Sequence, residues 1–279
     1  MGATKGLPFL LPRSIKGNHR NLVNTKGKNS CFYSTSIEGC DFVAELERKS
    51  LLRTSLIIGS RALEKLAKSR VIVCGLGGVG GSAAEALARS GIGFIKLIDG
   101  DVIDVTNLNR QLIATLDNIG NYKVIEMEKR LKSVAKKVIL EPLKVMLTPE
   151  NLRDYIKDTD YVVDCIDDVP TKTALIFFCL ENQIPIVSAM GAGGRLDPSL
   201  IRIGDISETK IDPLSKVMRK RLRDNGVRSG LQVVYSLETP VKAKEVEGKM
   251  IIGSSSFVPP AFGLSLASVV VKGLVGTVE

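Results

Sequence analysis

The stretch RVIVCGLGGVG, residues 70–80, restricts the possible folds more than any other part of this chain. An apolar, β-branched run ends in four glycines within six positions, and the small residues GSAAEALARSG (81–91) follow at helical spacing. A strand, a glycine turn and a small-residue helix form the first unit of a doubly wound sheet. Gly75 permits the tight turn, Gly77 and Gly78 let backbone amides approach an anion, and Gly80 lets the helix close on the strand. The first amides of such a helix are unpaired and carry the positive end of its dipole.

The alternation continues downstream. Strand signals at 93–99, 137–147, 161–167 and 185–190 are separated by helical patterns at 122–135, 148–157 and 170–182. Such alternation predicts parallel strands covered by helices. Pro142 marks the third strand as an edge or a bend, because proline removes a ladder donor. Thr148 and Pro149 read as the N-cap and first residue of the next helix. Upstream, ELERKSLLRTSLIIGSRALEKLAKS (45–69) predicts two helices broken near Gly59. Beyond 190 the pattern loosens into LIRIGDI, a basic helix from Asp212, the strand LQVVYSL and a closing apolar segment. The expected architecture is α/β: a Rossmann-like, mostly parallel sheet with helices on both faces and a mixed C-terminal extension. The apolar run FGLSLASVVV (262–271) stops at Lys272. It falls short of the ~18 residues of a membrane span and reads as a buried helix.

Composition excludes several chemistries. The single histidine, His19, lies ahead of any periodic structure, so a histidine general base is nearly excluded. Five cysteines (Cys31, Cys40, Cys74, Cys165 and Cys179) form no C-x-x-C pair, which argues against a disulfide framework and a thiolate zinc site. Cys74 and Cys165 fall in apolar strands as small core residues. Tyr235 and Phe257 read as core aromatics, with stacking on a base as the other role open to them. The net charge is +9, and residues 1–40 carry six Lys or Arg against Glu38 alone. That leader is either a targeting segment for the matrix of a mitochondrion or other organelle, or a disordered basic tail of a cytoplasmic protein. Residues 41–279 keep +4 and read as one domain with a nucleotide-binding core at about 68–190.

The stretch LIDGDVIDVTNLNRQ (97–111) discriminates between kinds of nucleotide chemistry. Asp99 ends the second strand 24 residues beyond Gly75, the place of a ribose-binding acid. A dinucleotide cofactor needs nothing further, yet Asn107, Arg110 and Gln111 follow, and Lys123 opens the next helix. Cations around a polyphosphate offset charge on a departing group, a need of ATP cleavage rather than of hydride transfer. Asp167 stands at the carboxyl end of the fourth strand, where open α/β sheets place ligand-binding groups. A carboxylate beside polyphosphate suits Mg2+. Asp101 and Asp104 read as loop-forming.

The order GLGGVG, D-x-D…NLNRQ, lysine and DCIDD resembles the ubiquitin-activating-type adenylating superfamily, whose members activate a carboxylate with ATP. LRTSLIIG (52–59) is similar to its arginine-bearing N-terminal helix. The resemblance implies that Asp99 holds the ribose, that Asn107, Arg110 and Lys123 hold the phosphates, and that Asp167 holds Mg2+. It also implies a homodimer in which Arg53 reaches the phosphates of the neighbouring subunit. Arg53, Arg110, Lys123 and Asp167 are then the catalytic set, and Gly75, Gly77, Gly78 and Gly80 the phosphate loop. Members acting on the C-terminus of a small ubiquitin-like or sulfur-carrier protein usually carry a zinc site of two C-x-x-C pairs, and this chain has none.

EALARSGIG, SAMGAGGRLDPSLIRIGDISETKIDPLSKVMRKRLRDNGV and VVYSLETPV instead resemble the branch that dehydrates threonylcarbamoyladenosine beside the tRNA anticodon. There the threonyl carboxylate is activated and closed on by the side chain's own nitrogen, which needs no protein cysteine or histidine. The segment between SLETPV and GSSSFVPP is short for that branch, which would trim a substrate loop. In this reading Lys216, Arg219, Lys220, Arg221 and Arg223, with Arg228 beyond them, contact tRNA phosphates. A solvated basic face is the other reading of that helix, and carrier-protein adenylation the other reading of the enzyme.

Overall fold

The computed structural model describes residues 49–276. Every described residue belongs to one compact unit. The basic leader, with His19, Cys31 and Cys40, lies outside the described residues, as does any targeting role for it.

Strands β1 (Arg70–Cys74), β2 (Phe94–Ile98), β3 (Ile139–Leu143), β4 (Tyr161–Asp164), β5 (Ile186–Ala189), β6 (Ile201–Asp205) and β7 (Gln232–Ser236) form one sheet. Its order is β3-β2-β1-β4-β5-β7-β6. All neighbours pair in parallel except β6, which closes one edge antiparallel to β7. Strands β6 and β7 of the mixed extension therefore continue the same sheet. At the other edge β3 pairs only with β2, and this is where Pro142 is tolerated.

The helices are α1 (Leu52–Ile58), α2 (Ser60–Lys68), α3 (Gly78–Arg89), α4 (Lys123–Val134), α5 (Leu152–Tyr155), α6 (Val169–Glu181), α7 (Pro213–Asp224) and α8 (Val258–Val275). Gly59, at φ +81°, breaks α1 from α2 as expected. Alternate residues of β1 feed two cores, as the period of a strand requires. Val71 and Val73 pack with Leu87, Met127 and Phe262 on one face. Ile72 and Cys74 pack with Leu175, Met218 and Leu231 on the other.

Helix α8 is long and apolar enough, by length and composition, to cross a membrane. Its residues Phe262, Leu266, Val270 and Leu274 are nevertheless buried in the first core. A Cβ on Gly263 would stand 2.2 Å from the Val79 carbonyl oxygen, so α3 and α8 meet backbone to backbone.

Two local expectations change. Helix α5 begins at Leu152 rather than Pro149. Thr148 and Asn151 exchange side-chain–backbone hydrogen bonds, and this reciprocal pair turns the chain one step before the helix. Phe257 is 60% exposed rather than core, while Tyr235 is buried. The short segment after SLETPV folds into a hairpin, β8 (Lys244–Val246) against β9 (Lys249–Ile251). Its turn residues Glu247 and Gly248 have φ of 50° and 77°. Two consecutive left-handed residues match the right-handed twist of such strands.

Candidate active site in the sheet crevice

Strand order reverses about β1, whose neighbours are β2 and β4, and the two chains leaving β1 and β4 part at their carboxyl ends. A cleft of about 640 Å3 opens there. Its lining includes Gly75, Gly77, Gly78, Gly80, Asp99, Asn107, Arg110, Lys123 and Asp167, all expected from the sequence. Arg53 is absent from that lining and lies exposed on α1, so the chain does not bring it to its own cleft.

The glycine turn is fixed by contact. Gly75 has φ +86°, and a Cβ there would lie 2.8 Å from the Cys165 carbonyl oxygen; one on Gly80 would lie 1.7 Å from the Gly75 oxygen. Gly77 caps α3 without any side-chain hydrogen bond, which leaves the helix amides to an anion.

Asp99 is 9% exposed. One carboxylate oxygen accepts from the Leu76 amide at 2.6 Å and the other from the Asp101 amide at 2.8 Å. Burial pushes this carboxyl above its ordinary value, against the pull of Lys123 and those two amides. Each oxygen keeps a second lone pair, so the group can accept from a ribose hydroxyl without giving up its backbone partners.

Asn107 closes a short 3-10 turn begun by Asp104. The Asp104 side chain accepts from the Thr106 amide, and the Asn107 Oδ1 accepts from the Asp104 amide at 3.1 Å. With its oxygen committed to the loop, Asn107 keeps its side-chain amide nitrogen as the donor at the cleft wall. Arg110 is steadied by Nη1 donating to the Thr106 carbonyl at 2.9 Å and to Asn109 Oδ1 at 3.0 Å. Asn109 in turn donates to the Ser254 carbonyl at 2.8 Å, and Ser256 donates to the Asn109 carbonyl at 2.6 Å. The NLNRQ loop is thus tied to the segment entering α8. Gln111 is buried in the same wall, and its Oε1 has no hydrogen-bond partner. A buried acceptor without a donor is costly unless a ligand supplies one.

Lys123 opens α4 and donates to Asp101 at 2.6 Å. Asp101 therefore holds the lysine at the cleft, beyond the loop-forming role read for it, whereas Asp104 does form its loop. On the facing wall Asp167 is exposed to the cleft, while its neighbour Asp168 caps α6 by accepting from Thr171.

The support beneath Asp167 was not anticipated. Lys172 is fully buried and donates to Asp164 at 2.6 Å, to Ser188 at 3.1 Å and to the Ala189 carbonyl at 3.0 Å. Asp164 also accepts from the Ile166 amide at 3.1 Å, which fixes the turn carrying Asp167. A second buried pair, Arg195 with Asp212 at 2.8 Å, anchors the start of α7. Burial pushes the Cys74 and Cys165 thiols well up and that of Cys179 up to about 12, so all three behave as packing residues rather than nucleophiles.

On α7, Lys216, Lys220, Arg221, Arg223 and, beyond the helix, Arg228 are exposed. Arg219 is turned onto Thr209, donating to its carbonyl at 2.6 Å and also to its hydroxyl. Asp212 caps the helix through the Ser215 amide, as expected.

Among the described residues no three His, Cys, Asp or Glu side chains cluster as a metal cage. A profile described as the ThiF family matches residues 49–277. The chain belongs to the ThiF family. Within that family it is 40% identical over 241 residues to the tRNA threonylcarbamoyladenosine dehydratase of Bacillus subtilis, covering 81% of this chain and 95% of that protein. The corresponding Escherichia coli protein is 40% identical over 207 residues, covering 71% and 77%. The crystal structure of the Escherichia coli dehydratase in complex with ATP superposes with a TM-score of 0.75 at 37% identity, covering 81% of this chain and 94% of that one. This ThiF-family chain is thus an α/β enzyme whose crevice matches a fold seen with ATP bound.

Proposed function

We propose that this chain is an ATP-dependent tRNA threonylcarbamoyladenosine dehydratase. The observation carrying this reading is that one cleft unites an uncapped helix N-terminus, Asp99, Asn107, Arg110, Lys123 and Asp167 in a chain similar to such dehydratases over 81% of its length. The α3 amides and Asn107 bind phosphate, and Asp99 binds ribose. A threonyl carboxylate oxygen attacks a phosphorus of ATP, and the departing phosphate keeps the electron pair of the broken bond. Arg110 and Lys123 offset the charge that develops. The side chain's own nitrogen then attacks the activated carbonyl carbon. The bond from that carbon to the phosphorylated oxygen breaks, the nitrogen gives up its proton, and the nucleoside has lost the elements of water. Holding the two ends together contributes up to about 7–11 kcal/mol, which removes any need for a protein nucleophile.

Asp167 is the residue that would hold Mg2+, together with phosphate oxygens and water. A single exposed carboxylate beside a polyphosphate site fits that ion's habit better than an all-protein cage. When bound, the ion neutralises phosphate charge. A homodimer accounts for the placement of Arg53: its helix α1 buries no residue and leaves Leu52, Leu56 and Ile57 exposed, an apolar surface suited to a second copy.

The test is nucleoside mass spectrometry after incubation of the protein with ATP, Mg2+ and threonylcarbamoylated tRNA. Loss of one water is expected, slowed about 10²–10³-fold by Asp167→Ala with an unchanged melting temperature. Folded, ATP-binding protein that leaves the nucleoside mass unchanged overturns the reading. Pyrophosphate exchange stimulated by a carrier protein with a Gly-Gly tail would replace it with carrier adenylation.

A further inference from the structure

Beside the nucleotide cleft lies a second hollow of about 390 Å3, lined by Leu196, Val241, Val246 and Ile251 and edged by Lys242 and Lys244. Resting on the dehydratase reading, we propose that this hollow receives the adenine ring of the substrate nucleoside, with the two lysines meeting the phosphates that flank it.

Position is the first support. Gly253 and Ser254 line both the hollow and the cleft, and the segment 191–196 passes from the cleft lining to the hollow lining, so the two share a wall. A ring seated in the hollow can extend its carboxylate-bearing side chain across that wall toward the phosphates. Ser254 is itself tied by its carbonyl to Asn109, one residue before Arg110. Chemistry is the second support. The lining surface is largely apolar and includes Lys242 and Lys244, which suits a flat heteroaromatic ring held between aliphatic side chains and carried on an anionic backbone. Leu196, Val241, Val246 and Ile251 are 66%, 61%, 50% and 49% exposed, a degree of apolar exposure that signals a binding surface.

The hollow is also built to be firm. The Gly194 amide donates to the Gly253 carbonyl at 2.7 Å, and the Val241 amide donates to the Gly194 carbonyl at 2.7 Å. These bonds join the loop after β5 to both stems of the hairpin. Arg195, beneath them, donates to the Glu238 carbonyl and to Asp212. The wall carrying Val241 and Gly253 is therefore held by the same buried pair that anchors α7.

The experiment uses the full-length protein, an anticodon stem-loop bearing threonylcarbamoyladenosine, and the variants Val246→Glu and Leu196→Glu. Both positions are exposed, so a carboxylate there is compatible with folding, and melting temperatures check it. The expected result is at least a tenfold fall in kcat/KM for the stem-loop, with the Kd for ATP unchanged within twofold. Lys242→Ala with Lys244→Ala should flatten the salt dependence of stem-loop binding, the log–log slope falling in magnitude by about 0.7 for each phosphate no longer neutralised; the glutamate variants should leave that slope in place. Full efficiency in both glutamate variants overturns the proposal, and so does an equal loss of ATP affinity, which would make the hollow part of the nucleotide site. A wild-type protein that binds the stem-loop without dehydrating it overturns the dehydratase reading instead.

Discussion

On the β1–β2 side of the crevice the polar groups are buried and already engaged, whereas on the side of α7 and the hairpin they stand in solvent. Asp99 is held by two amides, Asn107 by its own turn and Lys123 by Asp101. Lys216, Lys220, Arg221, Arg223, Lys242 and Lys244 are all exposed. The first arrangement suits a small ligand whose charge must be met at fixed points, because preorganised groups need no reorganisation as charge develops. The second suits a large polyanion, where many screened ion pairs sum without tight geometry. The two sides should therefore respond to substitution in different ways.

The largest effect is expected at the glycine turn. Gly80→Ala places a methyl group 1.7 Å from the Gly75 oxygen, a backbone atom that cannot move without opening the loop. The variant should lose at least about 4 kcal/mol of stability, as do the more severe core substitutions. ATP binding should vanish with it. Urea unfolding and calorimetric ATP titration check this, and an alanine variant binding ATP normally would show that the turn is not the phosphate site.

Lys172→Met should come next, at about 3–5 kcal/mol, because it strands Asp164 as a buried unpaired charge. It also loosens the Ile166 amide beneath Asp167, so dehydration at saturating ATP should fall further than the stability loss alone dictates. Lys172→Met with Asp164→Asn removes the stranded charge. Recovered stability without recovered turnover would separate packing from placement of Asp167.

The two sides of the crevice also differ in how far the sequence disclosed them. The sheet and the glycine-loop side of the cleft were legible because they rest on local backbone rules: a glycine turn after a strand, an acid at the end of the next, small residues on a helix. Lys172, Ser188 and Arg195, and the unpaired acceptor of Gln111, were not legible in this way. Their roles depend on which side chains long-range packing brings together, and a lysine at helical spacing gives no sign that it is buried. The hairpin had a local signal in Glu247-Gly248, but its strands are short and exposed, without the alternation that marks a buried face. Arg53 has no local signal of its own: its role follows from the resemblance alone, and it lies exposed on α1 outside its own cleft.

On the substrate side the effects should be smaller and should appear with salt. Alanine at Lys216, Lys220, Arg221 and Arg223 together is expected to raise the KM for tRNA and to lower the magnitude of its log–log salt slope by about 0.9 for each duplex phosphate no longer neutralised. The kcat should stay level. Arg219→Ala offers the contrast on the same helix. Its guanidinium bonds Thr209, so its removal should cost about 1 kcal/mol of stability and leave the salt slope unchanged. If all five positions shift the slope alike, the division of α7 into a tRNA face and a structural face fails.

The smallest effect is expected at the far end of α3, on Glu85. Burial raises its carboxyl, but hydrogen bonds from Arg130 and Arg89 outweigh that and hold it below its ordinary 4.5. Arg130 donates to it through two nitrogens at 2.8 and 3.0 Å. A carboxylate with a lowered folded pKa contributes stability that is present above the unfolded value and lost as pH falls through the folded one. The acid limb of the stability curve below about pH 4.5 should therefore flatten in Glu85→Gln. Because both arginines are substantially exposed, solvent screening limits the change at pH 7 to about 0.5–1 kcal/mol. Urea unfolding at pH 7 and pH 4 measures it, with ATP affinity expected to hold. A fall in ATP affinity would mean that α3 transmits strain from its C-terminal end to its phosphate-binding amides, and that the preorganised side extends the full length of the helix.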